Sequence, residues 1–240
     1  MGTDRLVCEG VTKSYGNTFT LGPLSLEISK GVTCLVGANG AGKSTFFRLA
    51  AKVDRPTTGS IRLESEDGCG KLGYLPQEAL LPDAATCEDF LYYVAWLQRV
   101  PSRERRKAVA RALAQVDLES RGGDTIKTLS GGMRRRLGIA HALVHDPVLV
   151  LLDEPTVGLD PRQRIELRQT IQQISQERIV LVSTHLVEDV RGLADRVIVL
   201  NDGAIVFDGD IESLEHHAEP GAPGDTQLER AVASLMGAVK

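Results

Sequence analysis

Apolar positions along the chain change their period twice. Up to about residue 75 they fall in short runs broken by Gly, Pro and Asn, and 6–11, 24–28, 32–36, 60–63 and 71–75 read as strands. One helix interrupts them, predicted over 43–51 directly after a glycine-rich loop. From about 85 to 143 the spacing turns helical. Val109, Ala112, Leu113 and Val116 recur at i, i+3, i+4 and i+7, and Pro101-Ser102 ahead of them supplies a stop and an N-cap. Strands and helices then alternate. The unbroken apolar run 148–152 suits a strand buried on both faces of a parallel sheet. A helix over 162–175, a strand over 179–183 and a helix over 186–193 follow, and two short strands flank the turn signal Asn201-Asp202-Gly203. The pattern predicts an α/β fold with a mostly parallel sheet and a helical insertion, about 79–146, between its halves. Beyond about residue 211 the composition shifts: 219–224 (Glu-Pro-Gly-Ala-Pro-Gly) reads as a linker, and Leu228, Ala231, Val232 and Leu235 mark a short amphipathic helix.

Composition narrows the function classes. With 240 residues, 42% hydrophobic and 25% charged, the chain can bury a large core. Its 28 basic against 32 acidic residues, a net charge of −4, give no basic surplus for nucleic acid. The apolar run 148–152 is far short of the roughly 20 residues of a membrane span. The N-terminus has no basic segment followed by an apolar one, and Leu6 stands where a myristoylation signal needs Ser or Thr, so the expected compartment is cytosolic. Cys8, Cys34, Cys69 and Cys87 show no metal-ligand spacing and read as reduced structural thiols.

Two stretches carry phosphate chemistry. Gly37-Ala38-Asn39-Gly40-Ala41-Gly42-Lys43-Ser44-Thr45 meets GxxxxGK[ST] between an apolar strand and a helix. The glycines let successive N–H groups point at phosphate oxygens at the positive end of a helix. Lys43 offers a point charge to the β- and γ-phosphates, and Ser44 a hydroxyl to Mg²⁺. Asp153 and Glu154 end the run 148–152, at the sheet edge where α/β proteins bind ligands. Asp153 fits a Mg²⁺ ligand and Glu154 a general base for an attacking water. The competing reading is two acids capping the next element before Pro155. The second phosphate stretch is Leu129-Ser130-Gly131-Gly132-Met133, where Ser130 is a good N-cap and two glycines fall in the first helical turn. Each glycine there costs up to about 1 kcal/mol against alanine, which suggests a close approach to the backbone; a flexible helix start is the plainer alternative.

In this order the stretches resemble the nucleotide-binding subunits of ATP-binding cassette (ABC) transporters, over roughly residues 5–210. The resemblance implies a P-loop NTPase core with an antiparallel β subdomain and an inserted α-helical subdomain. It implies that 129–132 is the signature offered to ATP on a partner subunit. Tyr15 matches the ring stacked on adenine, although alone it reads as a packed strand tyrosine. Gln77 matches the glutamine that senses Mg²⁺ and the attacking water, and His185 the histidine that contacts the γ-phosphate. Asp160, in Gly158-Leu159-Asp160, matches a loop that crosses the dimer interface, and it also reads as an N-cap before Pro161. His141, His145, His216 and His217 read as surface or packing residues. Met133 departs from the family, which has Gln there, and puts that side chain's polar contact in doubt. Arg134-Arg135-Arg136 and the run 103–107 read as solvated helix faces, with docking to a partner as the minority option.

The function so implied is ATP hydrolysis at two composite sites of a head-to-tail dimer, homodimeric or heterodimeric. The motion would drive a separate membrane permease that holds the subunit at the inner face of the membrane. The stretches 132–137 and 153–156 resemble exporter subunits of the drug-resistance type, whose tail is longer than this one. A non-transport ABC ATPase, such as the iron–sulfur assembly type, is the alternative. A P-loop kinase or GTPase would have no reason for a second phosphate stretch.

Overall fold

In the computed structural model the described residues are 4–16, 18–65 and 70–237. Nine strands and eight α-helices are formed among them, and Cys69 lies outside them. The N-terminal strands β1 (Arg5–Tyr15), β2 (Phe19–Ile28) and β4 (Thr58–Glu64) form an antiparallel sheet in the order β2-β1-β4. Its alternation is visible in β2, where Leu24, Leu26 and Ile28 are buried and Ser25 and Glu27 exposed.

The larger sheet runs β5-β6-β7-β3-β8-β9, from β3 (Gly31–Val36), β5 (Leu72–Leu75), β6 (Leu149–Asp153), β7 (Ile179–Thr184), β8 (Arg196–Asn201) and β9 (Ala204–Gly209). Every pairing in it is parallel except β8 with β9. Asp202 and Gly203 both take positive φ at that hairpin, as the Asn201-Asp202-Gly203 signal requires. Strands β6 and β7 are buried throughout, and their alternate side chains feed two cores. Val150, Leu152, Val180 and Val182 face a core completed by the helices that follow residue 85, while Leu149, Leu151, Ile179 and Leu181 face α1 (Lys43–Ala50) and the antiparallel sheet. The unbroken apolar runs in the sequence are therefore a consequence of burial on both faces.

The helical stretch holds α2 (Cys87–Leu97), α3 (Ser102–Ala114) and α4 (Gly131–Leu143), with α5 (Pro161–Ser175) and α6 (Val187–Arg191) in the alternating half. The predicted apolar face is right, with Val109, Ala112 and Leu113 buried in α3 and Val116 buried two residues beyond its end. Its cap is corrected: Ser102 is the first helical residue, Pro101 takes the N-cap position, and no side chain caps the helix. The helix expected over 186–193 is shorter, because its chain turns at Gly192. Two helices close the described chain, α7 (Ile211–Glu215), which the sequence reading missed, and α8 (Gln227–Gly237). Leu228, Ala231 and Val232 of α8 are buried in the larger core, and Asn201 donates from Nδ2 to the Met236 carbonyl at 3.1 Å. No helix among the described residues is long and apolar enough to cross a membrane.

Cys8, Cys34 and Cys87 are free and buried. Burial pushes the Cys8 thiol up to about 12 and raises Cys34 and Cys87, so all three stay protonated and unreactive near neutrality. His145 is also buried and bonds the Leu72 carbonyl through Nε2 at 2.9 Å, and His141 stacks on Phe90 with ring centroids 5.7 Å apart. Burial lowers the pKa of both imidazoles. The folded state then resists protonation that the unfolded chain accepts, so stability is complete above about pH 6.5 and falls as pH drops through that value. A melting temperature a few degrees lower at pH 5.5 than at pH 7.5 is expected, with a weaker dependence in His145→Gln. Equal slopes in the two proteins would remove His145 from that account.

Candidate active site

The carboxyl ends of four neighbouring strands converge. The loop after β3 carries 37–42, β6 ends in Asp153 followed by Glu154, β7 is followed by His185, and Gln77 lies two residues beyond β5. The edge that a parallel sheet presents to ligands is thus lined with the candidate residues.

The loop 37–42 is shaped by its glycines. Gly40 and Gly42 have φ of 88° and 108°, and a Cβ on Gly42 would lie 2.9 Å from both Leu21 and Phe19. Gly42 is the N-cap of α1, so the free N–H groups of that helix open onto the loop. Lys43 follows directly and is only 6% exposed. Its Nζ donates to the carbonyls of Gly37 at 2.7 Å and Ala38 at 3.2 Å, and stands 3.5 Å from Glu154 Oε1.

Glu154 joins the site by an unusual backbone. Its φ of 50° is a left-handed conformation that costs a residue with a side chain roughly 1–3 kcal/mol, so its surroundings must impose it. The parallel register sets Asp153 opposite Ser183. Ser183 Oγ donates to Asp153 Oδ1 and accepts from the Glu154 N–H at 2.8 Å, and the same N–H reaches the Ser183 carbonyl at 3.2 Å. The Glu154 carboxylate is buried with Lys43 on one oxygen, while its other oxygen is 2.9 Å from His185 Nδ1. A buried carboxylate between an ammonium and an imidazole is held in one orientation, and loss of either partner leaves one of its oxygens unpaired.

A cavity of about 470 Å³ opens beside this cluster, lined by Tyr15, Asn39, Gly40, Gly42, Lys43, Ser44, Thr45, Gln77 and Glu154 from the predicted set. Asp153 and His185 adjoin it through their bonds to Ser183 and Glu154, and Gly37 and Ala41 shape the loop from beneath. Tyr15 is half-exposed at its mouth. Arg48 donates to the Tyr15 hydroxyl at 2.8 Å, and that hydroxyl is 3.3 Å from Asp54. The sequence reading missed three contributors: Arg48 and Phe19, which line the cavity, and Ser183. Only Ser183 left a trace, as a polar residue closing an apolar strand run.

Ser130, Gly131 and Gly132 do not line this cavity. Ser130 caps α4 by accepting from the Met133 N–H at 3.3 Å, and both glycines lie in the first turn, as expected. Met133 packs against the larger core, so the position that is usually glutamine is spent on apolar contact. Asp160 is the N-cap of α5 in a reciprocal capping box with Gln163.

The reading of Arg134-Arg135-Arg136 as a solvated face is corrected. Arg134 pairs with Asp83 at 2.7 Å, and Arg136 bonds Asp117 at 2.8 Å, Glu166 at 2.9 Å and the Val116 carbonyl at 3.2 Å. Arg135 turns inward onto four carbonyls, those of Gln77, Asp153, Glu154 and Pro155. Three successive helix positions fan over about 200°, too wide an arc to share one solvated face.

The chain matches the ABC transporter family over residues 21–157. It is 32% identical to the daunorubicin resistance ATP-binding protein DrrA3 of Streptomyces coeruleorubidus, covering 100% of this chain and 78% of that one. The methionine import ATP-binding protein MetN of Corynebacterium diphtheriae is also 32% identical, covering 91% of this chain and 70% of that one. A bacterial ABC transporter cassette solved as a dimer superposes with a TM-score of 0.72 at 25% identity, covering 85% of this chain and 98% of that one. The chain belongs to the ABC transporter family, as an ATP-binding subunit that hydrolyses ATP.

Ser183→Ala leaves Asp153 without its hydroxyl partner and the Glu154 N–H with only the longer carbonyl bond. It is expected to destabilise the fold by about 1–3 kcal/mol, and to lower ATP turnover, measured by phosphate release. Wild-type turnover and melting would remove Ser183 from the site.

Proposed function

We propose that two of these cassettes close head to tail over two ATP molecules and pass the motion to a membrane permease on a separate chain. Each site would join one chain's loop 37–45, Asp153, Glu154, Gln77 and His185 to the other chain's Ser130, Gly131, Gly132 and Asp160. Lys43 holds the β- and γ-phosphates, Tyr15 stacks on adenine, and Asn39, Thr45 and the loop amides position the phosphate chain. Glu154 takes a proton from the attacking water, the new bond forms at the γ-phosphorus, and the bond to the ADP oxygen breaks. His185 holds the carboxylate toward that water. The observation that carries this reading is the placement of the Glu154 carboxylate between Lys43 and His185 at the edge of the loop's cavity.

A hard-oxygen donor set, Ser44, Gln77 and Asp153, fits Mg²⁺. No group of three or more His, Cys, Asp or Glu among the described residues is placed to hold a metal ion by itself, so the ion would draw further oxygens from phosphate and water. Bound there, Mg²⁺ would neutralise charge on the phosphate oxygens.

A complete set of site residues on one chain suits a symmetric pair and equally a pairing with a related subunit. The permease would hold the subunit at the cytoplasmic face of the membrane. Export of a drug or other small molecule is the direction we favour, from a likeness to the daunorubicin resistance subunit that runs the full length of this chain.

Glu154→Gln is expected to lose roughly 10²–10⁴-fold in turnover while retaining ATP binding and accumulating a closed dimer on size exclusion. Ser130→Arg is expected to bind ATP without hydrolysing it. Mixing the two inactive proteins then restores turnover, because one site of the mixed pair has an intact Glu154 facing an intact Ser130. A mixture as inactive as its parts, with mixed pairs shown to form, would refute the composite site. The membrane assignment is checked by co-purification with a multi-spanning partner.

A further inference from the structure

The guanidinium of Arg135 reaches into the turn that follows β6. Nε donates to the Pro155 carbonyl at 2.8 Å, Nη1 to that of Gln77 at 3.0 Å, and Nη2 to that of Asp153 at 2.9 Å and to that of Glu154. These carbonyls come from two separate segments, and Arg135 itself sits in α4, the helix that Ser130 caps. Glu154 carries the left-handed φ of 50° inside this clamp. Its N–H is fixed from the other side by Ser183. The peptide units on both sides of Glu154 are thus pinned, one by β7 and one by α4.

We infer that Arg135 is a positioning residue for hydrolysis: its four-carbonyl clamp holds the Glu154 turn and the Gln77 segment in register with the helix that bears the signature. The proposal rests on the reading of Glu154 as the base and adds to it a link within one chain. Displacement of α4 would move the clamp, and with it the carboxylate and Gln77 together.

Geometry argues that this is more than filling of carbonyl valences. An arginine fork donates in several fixed directions in one plane, whereas a lysine is a single point donor and would not span the same four carbonyls. Of the three successive arginines, only Arg135 touches the segments that carry Glu154 and Gln77. It contacts neither the loop 37–45 nor Tyr15, so ATP binding should not depend on it.

The test is ATP turnover of the full chain carrying Arg135→Lys and Arg135→Gln, each also combined with Glu154→Gln and followed in single turnover. Misplacement of the base by about 1 Å predicts a fall in kcat of about 10–100-fold with KM for ATP changed little. In the Glu154→Gln background the same substitutions should cost much less, because the base is gone and only the Gln77 segment is left to misplace. Three results would overturn the proposal: undiminished kcat in both variants, losses that multiply with that of Glu154→Gln, or loss of ATP affinity or folding in both. The last would assign Arg135 to the scaffold. Full activity of Glu154→Gln alone is a separate outcome, since it removes the base reading itself.

Discussion

The turn that ends β6 is the constraint on which the site depends. A carboxylate pair must be brought from a strand buried on both faces to the open edge of the sheet, and the backbone manages it only by placing Glu154 at positive φ. Left to itself such a conformation relaxes, and an ionised carboxylate in that burial would be costly. Neighbours from three other parts of the chain prevent both. Ser183 of β7 fixes Asp153 and the Glu154 N–H, Arg135 of α4 holds the carbonyls, and Lys43 with His185 holds the carboxylate. Deleting any one partner leaves a buried polar group unpaired, so the cluster is cooperative.

The rest of the architecture serves that turn by fixing strand register. Parallel pairing of β6 with β7 sets Asp153 beside Ser183, and pairing of β7 with β3 aligns Val36 with Thr184, so the phosphate loop and His185 leave the sheet at the same level. Register in a strand buried on both faces is strongly determined, since a slip by one residue would exchange the contents of the two cores. Apolar burial therefore does indirectly what no polar contact could do alone. It delivers four chain segments to one edge within hydrogen-bond reach.

Much of this was legible in the sequence, and the boundary between what was and was not is physical. The loop 37–45 takes its shape from its own glycines and from the helix it opens, so its phosphate role follows from contiguous residues. Period 2 against period 3.6 sufficed for the strands and for the buried face of α3. The partners of Glu154 were a different matter. Ser183 lies 29 residues away and was named only as the end of a strand. Arg135, 19 residues away, reads from sequence as solvent-facing with its neighbours, because three consecutive charges look alike in a sequence and point in three directions on a helix. Arg48 escaped notice because nothing local distinguishes it from any other basic residue near the end of a helix.

The signature shows how the structure changes the weight of a sequence argument. Two glycines in one helical turn were read together as room for something to approach. They now separate. A Cβ on Gly132 would lie 2.9 Å from the side chain of Gln163, so this glycine answers at least in part to its own chain. Gly131 has nothing within 4 Å of a Cβ, is exposed, and does not have positive φ, so neither packing nor backbone conformation within the chain calls for it. A helix start with glycine where alanine would fit forgoes up to about 1 kcal/mol. Such a loss without an internal cause favours a demand from outside, and backbone N–H groups at a capped helix N-terminus suit an anion. Of the signature residues it is Gly131, rather than the pair of glycines, that argues most directly for phosphate arriving on another subunit.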